Sequence, residues 1–326
     1  MRKNKKSICF IINPTADRSR SARHLSTLQK EIRNRWEDAE IVISEIKKPV
    51  TELAREKAAH YKIVVACGGD GTVSQVANGL VGSDAALGVI PIGSGNDFVK
   101  TMHLNKSITE CLDILEDGFT KEIDLIRFEG DEEGWCANTI GMGLDGLANY
   151  YAGRSTILKG FLLYALGALK ACLTFRGSAM TLNIDGQRYK NVYLMITLCN
   201  GKWEGGQFYI APDAVMDDGL LDLLIVDKLP LYLILSYLPR FSTGPKKSMQ
   251  GIQSLQCKEL EIHSEKPIYV HSDGEHISDS VQHLKLAVVE KALKVVVTKQ
   301  SEGRTQKAKG RSEISFVNFF PVIRNP

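Results

Sequence analysis

Three loops and one tripeptide hold the residues best suited to chemistry. Cys67-Gly68-Gly69-Asp70-Gly71-Thr72 places three glycines within four residues, after an apolar run and ahead of a helix-forming one. Backbone without Cβ atoms can approach a ligand closely, and the N–H groups of such a turn and of the helix start form an anion site. Asp70 cannot bind a phosphate itself, so it serves through Mg²⁺ or as a hydrogen-bonded turn residue. A Gly/Asp turn is also a common way to leave a strand, and this loop alone does not separate the two readings. Pro91-Ile92-Gly93-Ser94-Gly95-Asn96-Asp97-Phe98 is a second glycine loop, and Asn13-Pro14-Thr15 is a third. If the runs before them are neighbouring parallel strands, all three loops open on one crevice, which favours a nucleotide cleft. Neither G-x-x-x-x-G-K-[ST] nor a G-x-G-x-x-G after a strand is present. Asp273-Gly274-Glu275 lies between β-rich runs, and its glycine allows a turn that presents both carboxylates. Phosphoryl transfer needs positioned phosphates, a metal to neutralise charge and a base for the acceptor proton. An acidic hairpin tip is the plain alternative for this tripeptide.

The elements that must position these residues follow from hydrophobic spacing. Residues 7–14, 39–44, 62–72 and 86–98 read as strands running into loops. Residues 20–36, 51–61 and 73–81 have helical character, with Leu25, Leu28 and Ile32 on one face and Thr51 as an N-cap. Strands separated by helices imply right-handed βαβ units and a mostly parallel sheet. After about residue 125 the pattern turns antiparallel and β-rich, and Asp185-Gly186 between the runs of 181–200 is a hairpin signal. Residues 220–228, 256–264, 266–274 and 292–299 continue as short strands. The expected fold class is an α/β N-terminal domain with a mostly parallel sheet plus a β-rich, antiparallel, sandwich-like second domain. Their expected extents are 1–125, completed by 299–326 as an option, and 126–298, with the nucleotide cleft between them.

Taken in order, G-G-D-G-T and P-x-G-S-x-N-D-F resemble the diacylglycerol kinase catalytic-domain family, especially its soluble bacterial lipid-kinase branch, related to sphingosine and ceramide kinases. The resemblance continues through Asp124 in I-D-L, C-A-N-T-I-G-M-G-L-D (136–145), G-G-Q-F-Y-I-A-P-D-A-V-M-D-D-G-L-L-D (205–222) and S-D-G-E (272–275), up to about residue 298. It implies a fold like that of NAD kinase and diacylglycerol kinase, and ATP and Mg²⁺ as cofactors. It implies a nucleotide site on Asn13, Pro14, Thr15, Ala16, Asp17, Ser44, Gly68, Gly69, Asp70, Gly71, Thr72, Val73, Ser74 and Ser94. It implies that Asp273 and Glu275 are catalytic; the family's proton acceptor corresponds to Glu275, and in this sequence Glu275 or Asp273 deprotonates the acceptor. It also implies a structural Mg²⁺ held by the Asp218 side chain and the carbonyls of Val215 and Leu220, a set of hard oxygen donors. Two positions depart from the family pattern: Asp17 stands where a glycine is usual, and Ala16 where a serine is common. A carboxylate near phosphates repels them unless it faces away or meets Mg²⁺. The implied activity is ATP- and Mg²⁺-dependent phosphorylation of a lipid hydroxyl, with diacylglycerol giving phosphatidic acid as first choice. Another lipid (a sphingoid base or phosphatidylglycerol), an NAD kinase and a silent nucleotide- or lipid-binding module stay as alternatives. The absence of an Asn-Glu dipeptide weighs against NAD kinase.

The 326 residues are 44% hydrophobic and 24% charged, which excludes collagen-like, disordered and coiled-coil classes. The net charge of +3 conceals a split. Residues 1–60 carry 14 Lys/Arg against 8 Asp/Glu and residues 291–326 carry 8 against 2, so the middle is acidic. No nucleic-acid-binding signature accompanies the basic ends, so no nucleic acid is expected as a partner. Solvated tails or a weak attraction to anionic headgroups both fit. The partners expected are a lipid substrate and a membrane surface, with a homodimer as an open option. Seven cysteines without a C-x-x-C suit a reducing, cytoplasmic compartment. Residues 156–175 and 228–240 are apolar but interrupted by lysine, arginine or proline, short of the ~20 residues a spanning helix needs. They read as core helices that could also line an acyl slot, placing the protein peripherally at the inner membrane surface. His271, His276 and His283 match no zinc spacing, and the first two read as solvated loop residues.

Overall fold

The computed structural model describes residues 6–14, 21–44, 48–154, 161–245 and 249–299, and in it the apolar runs of the first third pair as parallel strands. Strand β1 (Lys6–Ile12) lies between β2 (Glu40–Ile43) and β3 (Tyr61–Gly68), and β4 (Ala86–Pro91) follows on β3. Ile8 to Ile12 are each at most 2% exposed, the condition of a strand covered on both faces. Helices α1 (Ser21–Arg35), α2 (Val50–Ala58) and α3 (Asp70–Leu80) connect them in chain order, and α4 (Asp97–Thr101) and α5 (Ile108–Asp117) follow β4. Leu28 and Ile32 from α1 and Leu112 and Leu115 from α5 share one core with Phe10 and Val65. Burying a side chain the size of Phe10 contributes about 1.5–3 kcal/mol. Helix α5 is fixed at its start by a capping box, in which Ser107 Oγ accepts from Glu110 N–H and the Glu110 carboxylate accepts from Ser107 N–H. Helix α2 begins at Val50 with Pro49 at its N-cap, two positions ahead of the Thr51 N-cap expected from sequence. Proline holds φ near the helical value, and Thr51 is already inside the first turn.

The chain forms two compact units, one of residues up to Ile123 plus the return from Lys291, the other Asp124–Glu290. Strand β5 (Thr120–Gly130) leads into the second, which continues with β6 (Gly134–Cys136), β7 (Thr139–Gly143), α6 (Leu144–Gly153), α7 (Phe161–Thr174), β8 (Ser178–Ile184) and β9 (Gln187–Cys199). There follow the ribbon of β10 (Trp203–Glu204) and β11 (Phe208–Tyr209), then β12 (Leu221–Asp227), α8 (Leu231–Tyr237), β13 (Ile252–Cys257), β14 (Glu259–Ser272) and β15 (Glu275–Val296). Strands β13, β12, β9, β7, β14 and β15 are neighbours in that order and antiparallel. Asp185 and Gly186, both at positive φ, close a two-residue hairpin that pairs Ile184 with Gln187.

Two strand readings change. The runs at 256–264 and 266–274 are largely one strand, β14, whose register with β15 shifts between His263 and Ile268. The run at 292–299 is the end of β15, 22 residues long, whose last part pairs in parallel with β4 through Lys294 and Val295. Its middle alternates polar residues with Val281, Leu284 and Leu286, which are buried, so the apolar signal is diluted below that of a core strand.

One face of the second unit packs Ile140, Met180, Ile196, Leu260 and Leu286. A second cluster packs Leu144 and Leu147 of α6, Ala171 and Cys172 of α7 and Ile234 and Tyr237 of α8 with Leu194 and Leu224. The two apolar segments are thus core helices on one side, and leave Leu166, Leu169, Leu173, Tyr232 and Leu235 exposed on the other. Among the described residues no helix is long and apolar enough to cross a membrane. All seven cysteines are free and buried.

Candidate active site

The glycine loops meet at the ends of β1, β3 and β4. Asn13 N–H donates to the Cys67 carbonyl (3.0 Å), and its Nδ2 donates to Thr72 Oγ1 (3.0 Å). Ser44 N–H donates to the Ile12 carbonyl, bringing the end of β2 to the same place. Ile92 N–H donates to the Gly68 carbonyl at 2.9 Å, so the second glycine loop starts alongside the first. They approach so closely that a Cβ on Gly93 would lie 2.4 Å from the Gly69 Cα. Helix α3 starts behind Gly69 with no side-chain cap. The N–H groups of its first turn, around Gly71 and Thr72, carry the partial positive charge that favours an anion. Val73 and Ser74 are buried one step further in, and Val73 N–H is already engaged with the Gly69 carbonyl. Pro14 is half-buried and Ser94 exposed, while Thr15, Ala16 and Asp17 lie outside the described residues.

Asp70 has a task of its own. Its Oδ2 accepts from Asn96 N–H at 2.7 Å and its Oδ1 from Asp97 N–H at 2.6 Å. Both oxygens therefore face the second loop, and of the two roles expected for this residue the structure shows the hydrogen-bonded turn. Burial, together with the neighbouring Asp97, pushes the Asp70 carboxyl up to about 6, against the opposing pull of the two N–H donors. Asn96 sits at φ 54°, ψ 42°, and its Nδ2 donates to the Gly93 carbonyl at 2.8 Å, closing the loop on itself.

In the second unit, Asp273 and Gly274 form the two-residue turn between β14 and β15, both at positive φ, with Ser272 opposite Glu275. The two carboxylates of the motif then part ways. Asp273 is 8% exposed, and its Oδ1 accepts from Asn138 N–H (2.8 Å), Thr139 N–H (3.2 Å) and the Cys136 thiol (3.1 Å). Its Oδ2 accepts from Ala137 N–H at 3.0 Å. Glu275 is exposed. Asn149 of α6 donates to the Gly274 carbonyl at 2.6 Å and holds the turn from a further side. His271 is not a loop residue, as sequence reading has it, but a buried one on β14. Burial lowers the affinity of its ring for a proton, yet Asp145 and Glu204 beside it push the pKa up to about 10.

The loop at 214–220 is pinned by Asp124, which is 1% exposed. Asp124 N–H donates to the Met216 carbonyl at 2.7 Å, and its Oδ2 accepts from Gly219 N–H at 2.8 Å. Asp218 is exposed, with Oδ1 accepting from Leu220 N–H, and Val215 and Leu220 are half-buried on the same loop. One carboxylate and main-chain carbonyls make an all-oxygen donor set, which fits a hard cation such as Mg²⁺.

The family model described as the diacylglycerol kinase catalytic domain matches residues 7–128, and that of the YegS C-terminal NAD kinase beta sandwich-like domain matches residues 138–297. A diacylglycerol kinase of Mycobacterium tuberculosis is 31% identical over 230 residues, covering 68% of this chain and 73% of the relative. The chain belongs to the diacylglycerol kinase family of lipid kinases. A diacylglycerol kinase of Bacillus subtilis is 26% identical over 274 residues, covering 82% of this lipid kinase and 89% of the relative. A crystal structure of a diacylglycerol kinase from Bacillus anthracis shares the fold, with a TM-score of 0.68 at 20% identity over 92% of this chain and 99% of the other.

Several residues that shape the candidate site carry no assignment from the sequence. Asn96, Asp97 and Gly93 stood in a quoted loop from which only Ser94 was assigned. A signal for Asn96 was present, because asparagine is among the few residues that readily take the left-handed conformation. Asn138 and Asn149 gave no local signal, since their partners are remote in the chain: Asn138 Nδ2 donates to the Trp203 carbonyl at 2.8 Å.

Proposed function

We propose that this lipid kinase transfers the γ-phosphate of ATP, with Mg²⁺, to the hydroxyl of diacylglycerol, giving phosphatidic acid. The observation that carries the reading is the division of labour within Asp273-Gly274-Glu275. A carboxylate that accepts three backbone N–H bonds and a thiol is committed to structure, whereas its neighbour Glu275 faces solvent, where an acceptor can reach it. Glu275 is the general base for the acceptor hydroxyl, and Asp273 sets the turn that presents it. The phosphates of ATP sit on the N–H groups from Gly68 to Thr72, with Asn13, Ser44 and Ser94 lining the same nucleotide site. Asp70 acts on the nucleotide indirectly, by holding the Gly93–Asp97 loop against the start of α3. Asp218, Val215 and Leu220 would hold a structural Mg²⁺, which when bound would brace the loop at 214–220.

A membrane-borne acceptor suits the surface of the second unit. Leu166, Leu169 and Leu173 follow helical spacing on α7, and Tyr232 and Leu235 are exposed on α8. Lys170 over the Tyr151 ring and Arg240 over the Tyr237 ring add exposed cations on the same two segments. Apolar side chains bordered by cations match the interface of a bilayer with anionic headgroups. The test is transfer of labelled γ-phosphate from ATP to a panel of diacylglycerol, a sphingoid base, phosphatidylglycerol and NAD. Label in phosphatidic acid is expected. Label confined to another acceptor would overturn the choice of diacylglycerol, and ATP binding without transfer to any acceptor would favour a silent module.

A further inference from the structure

The second unit buries a polar cluster outside the residues assigned above to phosphoryl transfer. His271 is 1% exposed, and its Nε2 lies 2.7 Å from Glu204 Oε1 and 3.4 Å from Asp145 Oδ1. Two carboxylates thus converge on one ring nitrogen, and a single N–H can serve only one of them. Neither ring nitrogen makes a hydrogen bond of normal geometry. A ring proton would leave one of the two carboxylate charges unmatched, and an uncompensated buried charge is costly.

The surroundings hold this convergence in place. Donor atoms of the three residues all lie within 4.8 Å of one another. They come from three separately supported elements. His271 is on β14, paired with both β7 and β15; Asp145 is in the first turn of α6; Glu204 is on the β10–β11 ribbon, where Trp203 stacks on Tyr209 at 4.3 Å. The other oxygen of Asp145 accepts from the Thr197 hydroxyl at 2.7 Å, the kind of outer contact that orients a ligating carboxylate. Opposite His271 stands Gly141, where an added Cβ would fall 2.1 Å from Asp145 Oδ2 and 2.3 Å from His271 Nε2. Any side chain there would fill the point on which the donors converge.

One imidazole nitrogen and two carboxylate oxygens suit a borderline transition-metal dication better than Mg²⁺, which prefers oxygen alone. A dication also balances the two carboxylates once the ring is neutral. We propose that Asp145, Glu204 and His271 form a binding site for a divalent transition-metal ion of the Zn²⁺ class, which ties α6 and β10 to the strand leading into the Asp273-Gly274 turn. The proposal is independent of the nucleotide and lipid assignments. Glu261, His263 and His283 form a second such group, nearer the surface, with His263 exposed and the two rings stacked at 4.4 Å. It serves as the control.

The experiment uses the untagged full chain, stripped with a chelator and then titrated with Zn²⁺ and, separately, Co²⁺. Equilibrium dialysis with elemental analysis gives stoichiometry, and the visible absorption of bound Co²⁺ reports nitrogen and oxygen ligation. One tightly held ion per chain is expected, with affinity lowered about 100-fold in Glu204→Gln and unchanged in His263→Gln. Glu204→Gln keeps the size of the side chain, and its circular dichroism establishes that it is folded; His271→Gln is the second variant. Failure of the wild-type chain to retain an ion overturns the proposal. So does wild-type affinity in folded Glu204→Gln, or loss of binding in His263→Gln alone.

Discussion

Replacing Asp273 with asparagine separates a structural carboxylate from a chemical one. Asparagine tolerates the left-handed conformation that Asp273 adopts at φ 51°, so backbone strain does not enter. The best amide orientation keeps an oxygen where Oδ1 accepts from Asn138, Thr139 and Cys136, and places the NH₂ group where Oδ2 accepts from Ala137. The Ala137 N–H is then buried against a donor, which costs about 1–3 kcal/mol. The remaining bonds lose their charge assistance, at about 1 kcal/mol each, offset in part by the easier burial of a neutral group. A net loss of about 3 kcal/mol follows, a large share of the roughly 5–15 kcal/mol by which proteins are stable. Urea unfolding followed by tryptophan fluorescence in a Trp36→Phe background, which leaves Trp135 and Trp203 of the second unit, reports on this unit. The midpoint should fall by about 1 M or more, at the usual 1–3 kcal/mol per molar urea. Glu275→Gln, at an exposed position, should unfold within about 0.5 kcal/mol of wild type while losing turnover. A folded Asp273→Asn protein with wild-type stability and no activity would refute the reasoning, because it would give Asp273 the chemistry and not the scaffold.

The other expectations follow from the same contacts. Gly93→Ala forces a Cβ to within 2.4 Å of the Gly69 backbone, so it should raise the KM for ATP and destabilise by about 1–3 kcal/mol, read by kinetics and thermal melting. Asp70 carries a folded-state pKa of about 6 against an ordinary 3.8, so the native state holds its proton more tightly. The stability it contributes is full below pH 3.8 and is lost as pH rises to about 6; Asp70→Asn should remove that part of the wild-type slope in urea midpoints measured across this window. Binding to vesicles containing anionic lipid should weaken in Leu173→Asp and at high salt, measured by co-sedimentation; a salt-insensitive association would remove the electrostatic part of the membrane reading.

What could be read in the chain was what is written locally. Continuous apolar runs gave β1, β3 and β4, and the glycine loops after them come together as expected, because a parallel strand covered on both faces and a close-approach turn each need particular residues in sequence. Asp185-Gly186 gave its hairpin for the same reason. Long-range pairing was out of reach. His271 stands at the end of the run 266–274, next to the Asp273-Gly274 turn, and only its partners Asp145 and Glu204, 126 and 67 residues earlier, make its burial intelligible. Nor could Asp273 and Glu275 be told apart as bases, because the distinction lies in which of them meets the N–H groups of residues 137–139. Asp70 shows the same limit: its partners Asn96 and Asp97 were in view, but not that both of its oxygens face them.

The central claim is tested most directly by single-turnover transfer of labelled γ-phosphate from ATP to diacylglycerol in mixed micelles, comparing wild type with Glu275→Gln. Phosphatidic acid should form with the wild type and about 10²–10⁴-fold more slowly with the variant, while ATP affinity stays the same. Equal rates for the two proteins, or no labelled phosphatidic acid from either, would contradict the account.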